Sequence, residues 1–546
     1  MIREADLLAG FTAEVPISAA AVAAPVAAAG RVLVVLDDDP TGTRSVSNVP
    51  VLTCWEEDDF RWAFTHLMGT TPTLAVYVLT NTRSLEPVEA AAWNREIVTN
   101  ALAAAVHTDT TLGFVSRSDS TLRGHYPLEP DVIAATLKAV TGQSTDGVVI
   151  VPAFPDAGRI TVGDVHYMRN GGTLTPVAET EFAKDASFGY QNSEMARYVE
   201  EKSSDRFKAA DVIVLDLNII RGGAAGIAGA IAAATDSKPI VVDVVTEDDL
   251  RALALGLAEA ESRGRMLLYG VGPPFVRARI GQEERTPLSG DEAFAGTSPA
   301  PCGGLIVVGS HVGVTTRQLK VQTDRHGCAA TVEIQVDSLL DETLELEHVT
   351  AVVSAVVAAL ADGHVVVHTS RLLVETGDPA ESLRIARTVS AAVVDVVSRT
   401  LKARPPRFVI AKGGITSSDV ATHGLEIRHA IVRGPMLPGI VSLWKPVDGP
   451  AQGIPFIVFA GIVGDDESLF DVVRKLSSTF KPLQRRRNQH VNAAVHPNQR
   501  LHRHRLGSWC HGSTDGYPSG WQTHRPRFRY RREPPQACRR RRCRPL

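Results

Sequence analysis

Four polar turns, each placed directly after a short apolar run, hold most of the residues able to do chemistry. The first reads Asp37-Asp38-Asp39-Pro40-Thr41-Gly42-Thr43 and the second Thr80-Asn81-Thr82-Arg83-Ser84. The third is Ser116-Arg117-Ser118-Asp119-Ser120-Thr121-Leu122-Arg123-Gly124. The fourth is Pro152-Ala153-Phe154-Pro155-Asp156-Ala157-Gly158-Arg159, with Gly163-Asp164-Val165-His166-Tyr167 shortly beyond. Such turns suit a polyhydroxy carboxylate. The guanidinium groups of Arg83, Arg117, Arg123 and Arg159 can form forked, charge-assisted bonds to a carboxylate, while Asp and Ser side chains accept from or donate to hydroxyls. Asp38 or Asp39 can take the proton from a hydroxyl that attacks a phosphate, or help hold a metal. One Asp-Pro-Thr-Gly cluster alone would be an ordinary turn, because Asp, Pro and Gly are turn formers. Four polar turns after consecutive strands point to a site. His125, His166 and His311 are further candidates for hydrogen bonds to substrate or phosphate, against the reading of ordinary turn histidines, and His166 is the best placed.

A second vocabulary, richer in Gly and poorer in acids, appears later. Gly309-Ser310-His311-Val312-Gly313-Val314-Thr315-Thr316 follows one apolar run, Lys412-Gly413-Gly414-Ile415-Thr416-Ser417-Ser418-Asp419 another, and Gly461-Ile462-Val463-Gly464-Asp465 a third. Backbone amides freed of side chains and placed before a helix cradle phosphate oxygens, which suits a nucleotide; a tight strand-to-helix turn is the plainer reading of any one pair. Lys412 and Lys445 can neutralise phosphate or simply be solvated. The segments Pro435 to Gly439 and Trp444 to Pro446 read as a loop over the nucleotide, with packing as the alternative. No GxxxxGK[ST] occurs, so a P-loop is excluded, and no GxGxxG follows an early strand, as a dinucleotide-binding dehydrogenase would need. A GxSxG elbow and an HExxH zinc site are absent too.

To place these turns, the chain must supply strands that end at them. β-branched apolar runs recur at Val32 to Leu36, Leu74 to Leu79, Leu112 to Val115, Val148 to Val151, Val212 to Leu215, Ile240 to Val244 and Met266 to Tyr269. A second series covers Leu305 to Val308, Thr331 to Val336, Val365 to His368, Phe408 to Ala411 and Phe456 to Phe459. Amphipathic stretches at Pro87 to Val106, Val349 to Ala361 and Pro379 to Leu401 predict covering helices. This alternation predicts an α/β protein of two domains, with largely parallel, helix-covered sheets and an active-site cleft between them. At 546 residues the chain exceeds one core. The expected division is a lead at 1–29, a domain at 30–280, a Gly, Pro, Ser and Thr linker at 281–304, a second domain at 305–478 and a basic tail at 479–546.

Composition excludes other classes. The apolar and charged fractions, 44% and 22%, are those of a globular protein. No apolar run reaches a membrane span, and Glu4, Asp6 and Glu14 occupy the start where a signal peptide is basic, so a cytoplasmic protein without membrane contact is expected. Six scattered cysteines without CxxC spacing fit reduced thiols, and a structural zinc site is not expected. The net charge of −4 conceals a basic ending: residues 484–546 carry sixteen Arg against Asp515 and Glu533, leaving the body at −18. That ending reads as a nucleic-acid arm, a disordered tail or a non-native stretch, and no nucleic-acid partner is expected. Self-association into a homo-oligomer stays open.

Taken in order, DDDPTG at Asp37, NTRS at Asn81, SRSDSTLRG at Ser116, VPAFPDAGR at Val151, TEFAKD at Thr180, VGSHVGVTTRQL at Val308 and AKGGITSSDV at Ala411 closely resemble the four-carbon acid sugar kinase family. The resemblance runs from residue 31 to about 475 in the family's order. It implies ATP-dependent phosphorylation, with Mg²⁺, of the terminal hydroxyl of threonate, erythronate or 3-oxotetronate. It places the sugar acid on the N-terminal domain at Asp38, Asp39, Thr41, Arg83, Arg117, Asp119 and Arg123, with Asp37 and His166 beside them. It places ATP on Ser310, Gly413, Gly414, Ile415, Thr416 and Gly461. Catalysis then falls to Asp38 or Asp39. The chain departs from the family at Ile462, where many relatives carry a small or polar residue, and after Lys481. The alternative is a catalytically impaired sugar-acid-binding or regulatory protein of the same fold.

Overall fold

The first apolar run shows how the sheet is built. In β1 (Arg31–Asp37) the residues Leu33 and Val35 point to one face and Val32, Val34 and Leu36 to the other, and both sets are buried. Period-two alternation puts successive side chains on opposite faces, so a strand apolar at every position needs cover on both sides. The first face packs with Tyr77, Val149 and Leu253, and the second with Val76, Phe114 and Ile97. Burying each such side chain stabilises the fold by roughly 1.5–3 kcal/mol.

A computed structural model describes residues 2–68, 71–325, 327–341, 343–370 and 379–477. All of these lie within one compact unit, Met1–Ala494. The basic tail at 479–546 lies outside the described residues. After β1 come β2 (Val49–Leu52), β3 (Ala75–Leu79), β4 (Thr111–Arg117), β5 (Gly147–Val151), β6 (Ile213–Leu215), β7 (Lys238–Val242) and β8 (Leu267–Val271). The later half holds β9 (Leu305–Val308), β10 (Ala330–Ile334), β11 (Val365–Thr369), β12 (Val409–Lys412), β13 (His429–Leu437), β14 (Val441–Pro446) and β15 (Phe456–Phe459). Among the described residues these fifteen strands form one sheet, in the order β6-β7-β5-β8-β4-β1-β3-β2-β13-β14-β15-β12-β9-β11-β10. All twelve apolar runs are strands of it.

Helices cover the faces: α1 (Pro87–Thr108), α2 (Leu128–Thr141) and α3 (Glu247–Ser262) in the first half, and α4 (Glu345–Ala359), α5 (Pro379–Ala403) and α6 (Ser468–Ser477) in the second, of which the spacing had predicted α1, α4 and α5. Among the described residues no helix is long and apolar enough to cross a membrane.

The sheet is mixed rather than parallel throughout. Strands β6 to β2 pair in parallel, as do β15 to β10, but β2–β13, β13–β14 and β14–β15 are antiparallel. Three reversals in succession make the C-terminal parallel block run against the N-terminal one. The segments read as a loop over a nucleotide, Pro435 to Gly439 and Trp444 to Pro446, belong instead to the β13–β14 hairpin. Gly434 and Pro435 interrupt the apolar pattern there, at two register shifts that hide the strand from a reading of periodicity. Trp444 is fully buried and donates its indole N–H to Thr43 Oγ1 at 2.9 Å, so packing accounts for it.

A smaller antiparallel sheet of Ile2–Arg3, Thr173–Pro176, Val165–Asn170 and Arg159–Val162 holds Arg159 and His166. Across the seam between the halves, Asp59 in the helix Glu57–Thr65 accepts from Arg428 and, at 2.8 Å, from His429 Nε2. His429 also stacks on Trp62 with ring centroids 4.3 Å apart.

Candidate active site

The polar turns leave the carboxyl ends of neighbouring parallel strands, where open α/β sheets collect ligands. β1 delivers Asp37, Asp38 and Asp39; its neighbours β3 and β4 deliver Arg83 and Arg117. Arg117, 2% exposed, pairs with Asp37, donates to the Asp39 carbonyl and lies 3.1 Å from Asp38 Oδ1. Arg83 pairs with Asp39 and approaches Asp119 at 3.6 Å. Arg123 donates through Nε to Asp119 at 2.7 Å and lies over the Phe182 ring at 5.0 Å. Asp39 Oδ1 also accepts the Thr41 backbone N–H at 2.8 Å, which closes the turn. Gly42 is packed against the Arg117–Asp37 pair, and a side chain there would displace it.

Burial and these pairings shift the aspartates in opposite directions. Burial pushes Asp37 and Asp38 up, and the arginines offset only part of it. Burial acts on Asp39 too, but Arg83, Arg117 and the Thr41 bonds outweigh it and hold its carboxyl below the usual range. Arg83 and Arg123 likewise outweigh burial at Asp119 and hold it down. Asp38 Oδ2 accepts from Ser118 Oγ at 3.3 Å.

Behind this layer stands Glu129, on the buried face of α2, spaced four residues from Ile133 and eight from Leu137. It accepts from Thr82 Oγ1 at 2.6 Å and Ser116 Oγ at 2.9 Å, tying the β3 and β4 turns together. Burial raises its pKa, with Asp38 adding to the effect. Sequence reading missed it, although its helical spacing with Ile133 marks a carboxylate on an apolar face. A cavity of about 40 Å³ opens beside it, lined by Ser116, Ser118, Asp119, Tyr126 and Tyr198 among others. Arg44, just beyond the acidic turn, was also missed; its guanidinium lies 4.6 Å over the Phe154 ring.

His166 is not at the surface of this cluster. It is fully buried, with Nδ1 2.9 Å from Thr161 Oγ1 and Nε2 2.8 Å from the Ser120 carbonyl. Burial holds it down to about 4, so the ring is neutral: Nε2 donates to the carbonyl and Nδ1 accepts from the hydroxyl. It positions the Ser118–Arg123 loop. His125 similarly spans the Thr82 and Leu85 carbonyls, at 2.9 and 3.2 Å.

On the other half, the Gly turns follow the adjacent strands β9, β12 and β15 and pack closely on one another. A Cβ on Gly461 would fall 2.5 Å from Ser310 Oγ, and one on Gly413, with φ +132°, would fall 2.9 Å from Thr416 Oγ1. Thr315 Oγ1 donates to the Gly461 carbonyl at 2.8 Å. Lys412 is buried beneath, donating to the Ala460 carbonyl at 2.7 Å over the Phe459 ring, and burial holds it down to about 7. Ile415 and Ile462 are exposed at the turn surface.

The acidic turn of the first half meets the Gly turns of the second. The turn Pro40–Ser45 runs along the β13–β14–β15 meander, with Thr43 Oγ1 2.9 Å from Ser442 Oγ, and reaches the short helix Gly414–Asp419. A Cβ on Gly414 would fall 2.6 Å from Asp39 Oδ2. An anionic turn with arginines thus faces a Gly-rich amide turn, an arrangement able to hold a hydroxyl against a phosphate.

Comparison with known proteins assigns each half. Residues 33–279 match the family described as a sugar-binding N-terminal domain and residues 305–469 the one described as a nucleotide-binding C-terminal domain. The chain is therefore a two-domain α/β protein whose halves match these two domain families. It is 25% identical over 375 residues to a D-erythronate kinase of Heliobacterium modesticaldum, covering 65% of this chain and 77% of that one. Its fold is similar to that of a Salmonella typhimurium LT2 protein, at TM-score 0.58 and 18% identity over 83% of this chain and all of that one. A Haemophilus influenzae protein of the DUF1537 family is also similar, at TM-score 0.54 and 16% identity over 82% of this chain and all of that one. The chain thus shows the family resemblance of the four-carbon acid sugar kinase-like proteins.

Proposed function

We propose that the protein is an ATP-dependent kinase that phosphorylates the terminal hydroxyl of a four-carbon sugar acid: erythronate, threonate or 3-oxotetronate. The observation that carries this reading is the contact of Asp39 with the Gly413-Gly414 turn. The matched sugar-binding and nucleotide-binding domains and the kinase named among the relatives support it.

In this reading the amides of Gly413 to Thr416, with Ser310 and Gly461, hold the ATP phosphates. Asp38, Asp39, Thr41 and Asp119 receive the sugar-acid hydroxyls, and Arg83, Arg117 and Arg123 hold those carboxylates in place. Asp39, at the junction, orients the terminal hydroxyl in line with the γ-phosphate and accepts its proton; Asp38 stands behind it. A loose transition state asks little of the base, so positioning supplies most of the rate. Among the described residues no group of three or more His, Cys, Asp or Glu forms a metal cage. In this reading Mg²⁺ would be carried chiefly by the nucleotide phosphates, for which one or two protein carboxylates suffice, and Asp39 is the one at the Gly turn. The ion would neutralise phosphate charge. Purified protein given Mg-ATP and a panel of four-carbon acids is expected to release ADP with at least one of them, the product carrying a phosphate ester on its terminal hydroxyl by NMR. ADP release at background with every acid sinks the proposal.

A further inference from the structure

The arginines singled out for a carboxylate are not equally free. Arg83, Arg117 and Arg123 are each engaged by aspartates of the same cluster. Arg44 and Arg159 differ: among the described residues neither pairs with a carboxylate, and the Nε of each is buried without a hydrogen-bond partner. Among the described residues the Arg159 guanidinium donates only to the Ala157 carbonyl. The two are neighbours through Phe154, whose ring lies under Arg44 and whose backbone bridges that of Arg159 at 2.8 and 2.9 Å. Burial lowers the pKa of both; Arg117 adds to the effect at Arg44 and Arg123 at Arg159, while Asp39 and Asp119 oppose it at Arg44 and Asp119 at Arg159. A buried guanidinium N–H left without an acceptor is costly, and a bound anion removes that cost.

We propose that Arg44 and Arg159 form the seat of the acceptor's carboxylate. Among the described residues no carboxylate pairs with either, while the charges of Asp39 and Asp119, which take the hydroxyls, reach Arg44 and that of Asp119 reaches Arg159. This division of labour leaves Arg83, Arg117 and Arg123 to hold those aspartates. The assignment rests on the reading of the acceptor as a sugar acid.

The test measures binding apart from turnover. Erythronate, threonate and, as a plain carboxylate probe, malonate are titrated calorimetrically into wild type, Arg44→Met, Arg159→Met and the charge-preserving Arg44→Lys and Arg159→Lys. The Met substitutions are expected to weaken acid binding by about 10- to 100-fold, as lost charge-assisted bonds do, and the Lys variants by less. In turnover the loss should appear in the acid's KM, with the KM for ATP unchanged. Wild type that binds acid but releases no ADP defeats the kinase reading; the binding ratio still decides the seat. Affinities within threefold of wild type in folded Met variants overturn the seat, as does wild type that binds none of the three acids. Should a Met variant fail to fold, the Lys pair carries the same comparison.

Discussion

Gly414→Ala isolates the contact on which the kinase reading depends. The added Cβ would stand 2.6 Å from Asp39 Oδ2, where ordinary contact starts near 3.4 Å, so the carboxylate must retreat by 0.8 Å or the helix must shift as much. Asp39 cannot retreat freely, because Arg83 holds the same oxygen and the Thr41 N–H holds the other. Displacing a reacting group by about 1 Å costs on the order of 10²-fold in rate. Stability should hardly move. No left-handed strain arises at Gly414, and Ala in a helix gains about 1 kcal/mol over Gly, which offsets a weakened, partly exposed ion pair. The expected result is kcat for ADP release reduced about 100-fold with a melting temperature within a few degrees of wild type. A double-mutant cycle sharpens it: in an Asp39→Ala background the clash is gone, and Gly414→Ala should cost less than threefold further. Undiminished kcat in the single variant, or equal losses in both backgrounds, would refute the placement of Asp39 and Gly414 at the reacting centre.

Two further predictions concern stability. Folded His166 titrates near 4 against 6.5 when unfolded, so the unfolded chain binds more protons between those values; the contribution is complete above 6.5 and lost as pH falls toward 4, by about 3 kcal/mol. Denaturant melts at pH 7 and 4.5 should show a shallower pH dependence for His166→Gln than for wild type, and equal slopes would exclude this role. Asp59→Ala leaves the Arg428 and His429 donors at the seam without their acceptor; discounted for the exposure of Arg428, the expected loss is about 2 kcal/mol, and an unchanged urea midpoint would show that the seam does not depend on this network.

The twelve apolar runs were legible because each is a short, mostly apolar segment, most of them buried on both faces, a local property of the chain. β2, β13 and β14 were not. Pro50, Gly434 and Pro435 break their pattern, and what makes them strands is the partner each meets, β13 pairing with a strand more than 370 residues earlier in the chain. Glu129 and Arg44 escaped notice for a similar reason, since their significance comes from what surrounds them.

By itself the sequence determined that strands end in acidic, Arg-rich and Gly-rich turns, because turn chemistry and apolar periodicity are written in neighbouring residues. Only the tertiary structure decided what each charge in those turns is free to do. Arg117 meets Asp37 across 80 residues and Arg83 meets Asp39 across 44, leaving Arg44 and Arg159 without a paired carboxylate among the described residues, and the three antiparallel pairings carry Asp39 to Gly414. A charge's availability depends on its neighbours in space, and chain order does not contain them.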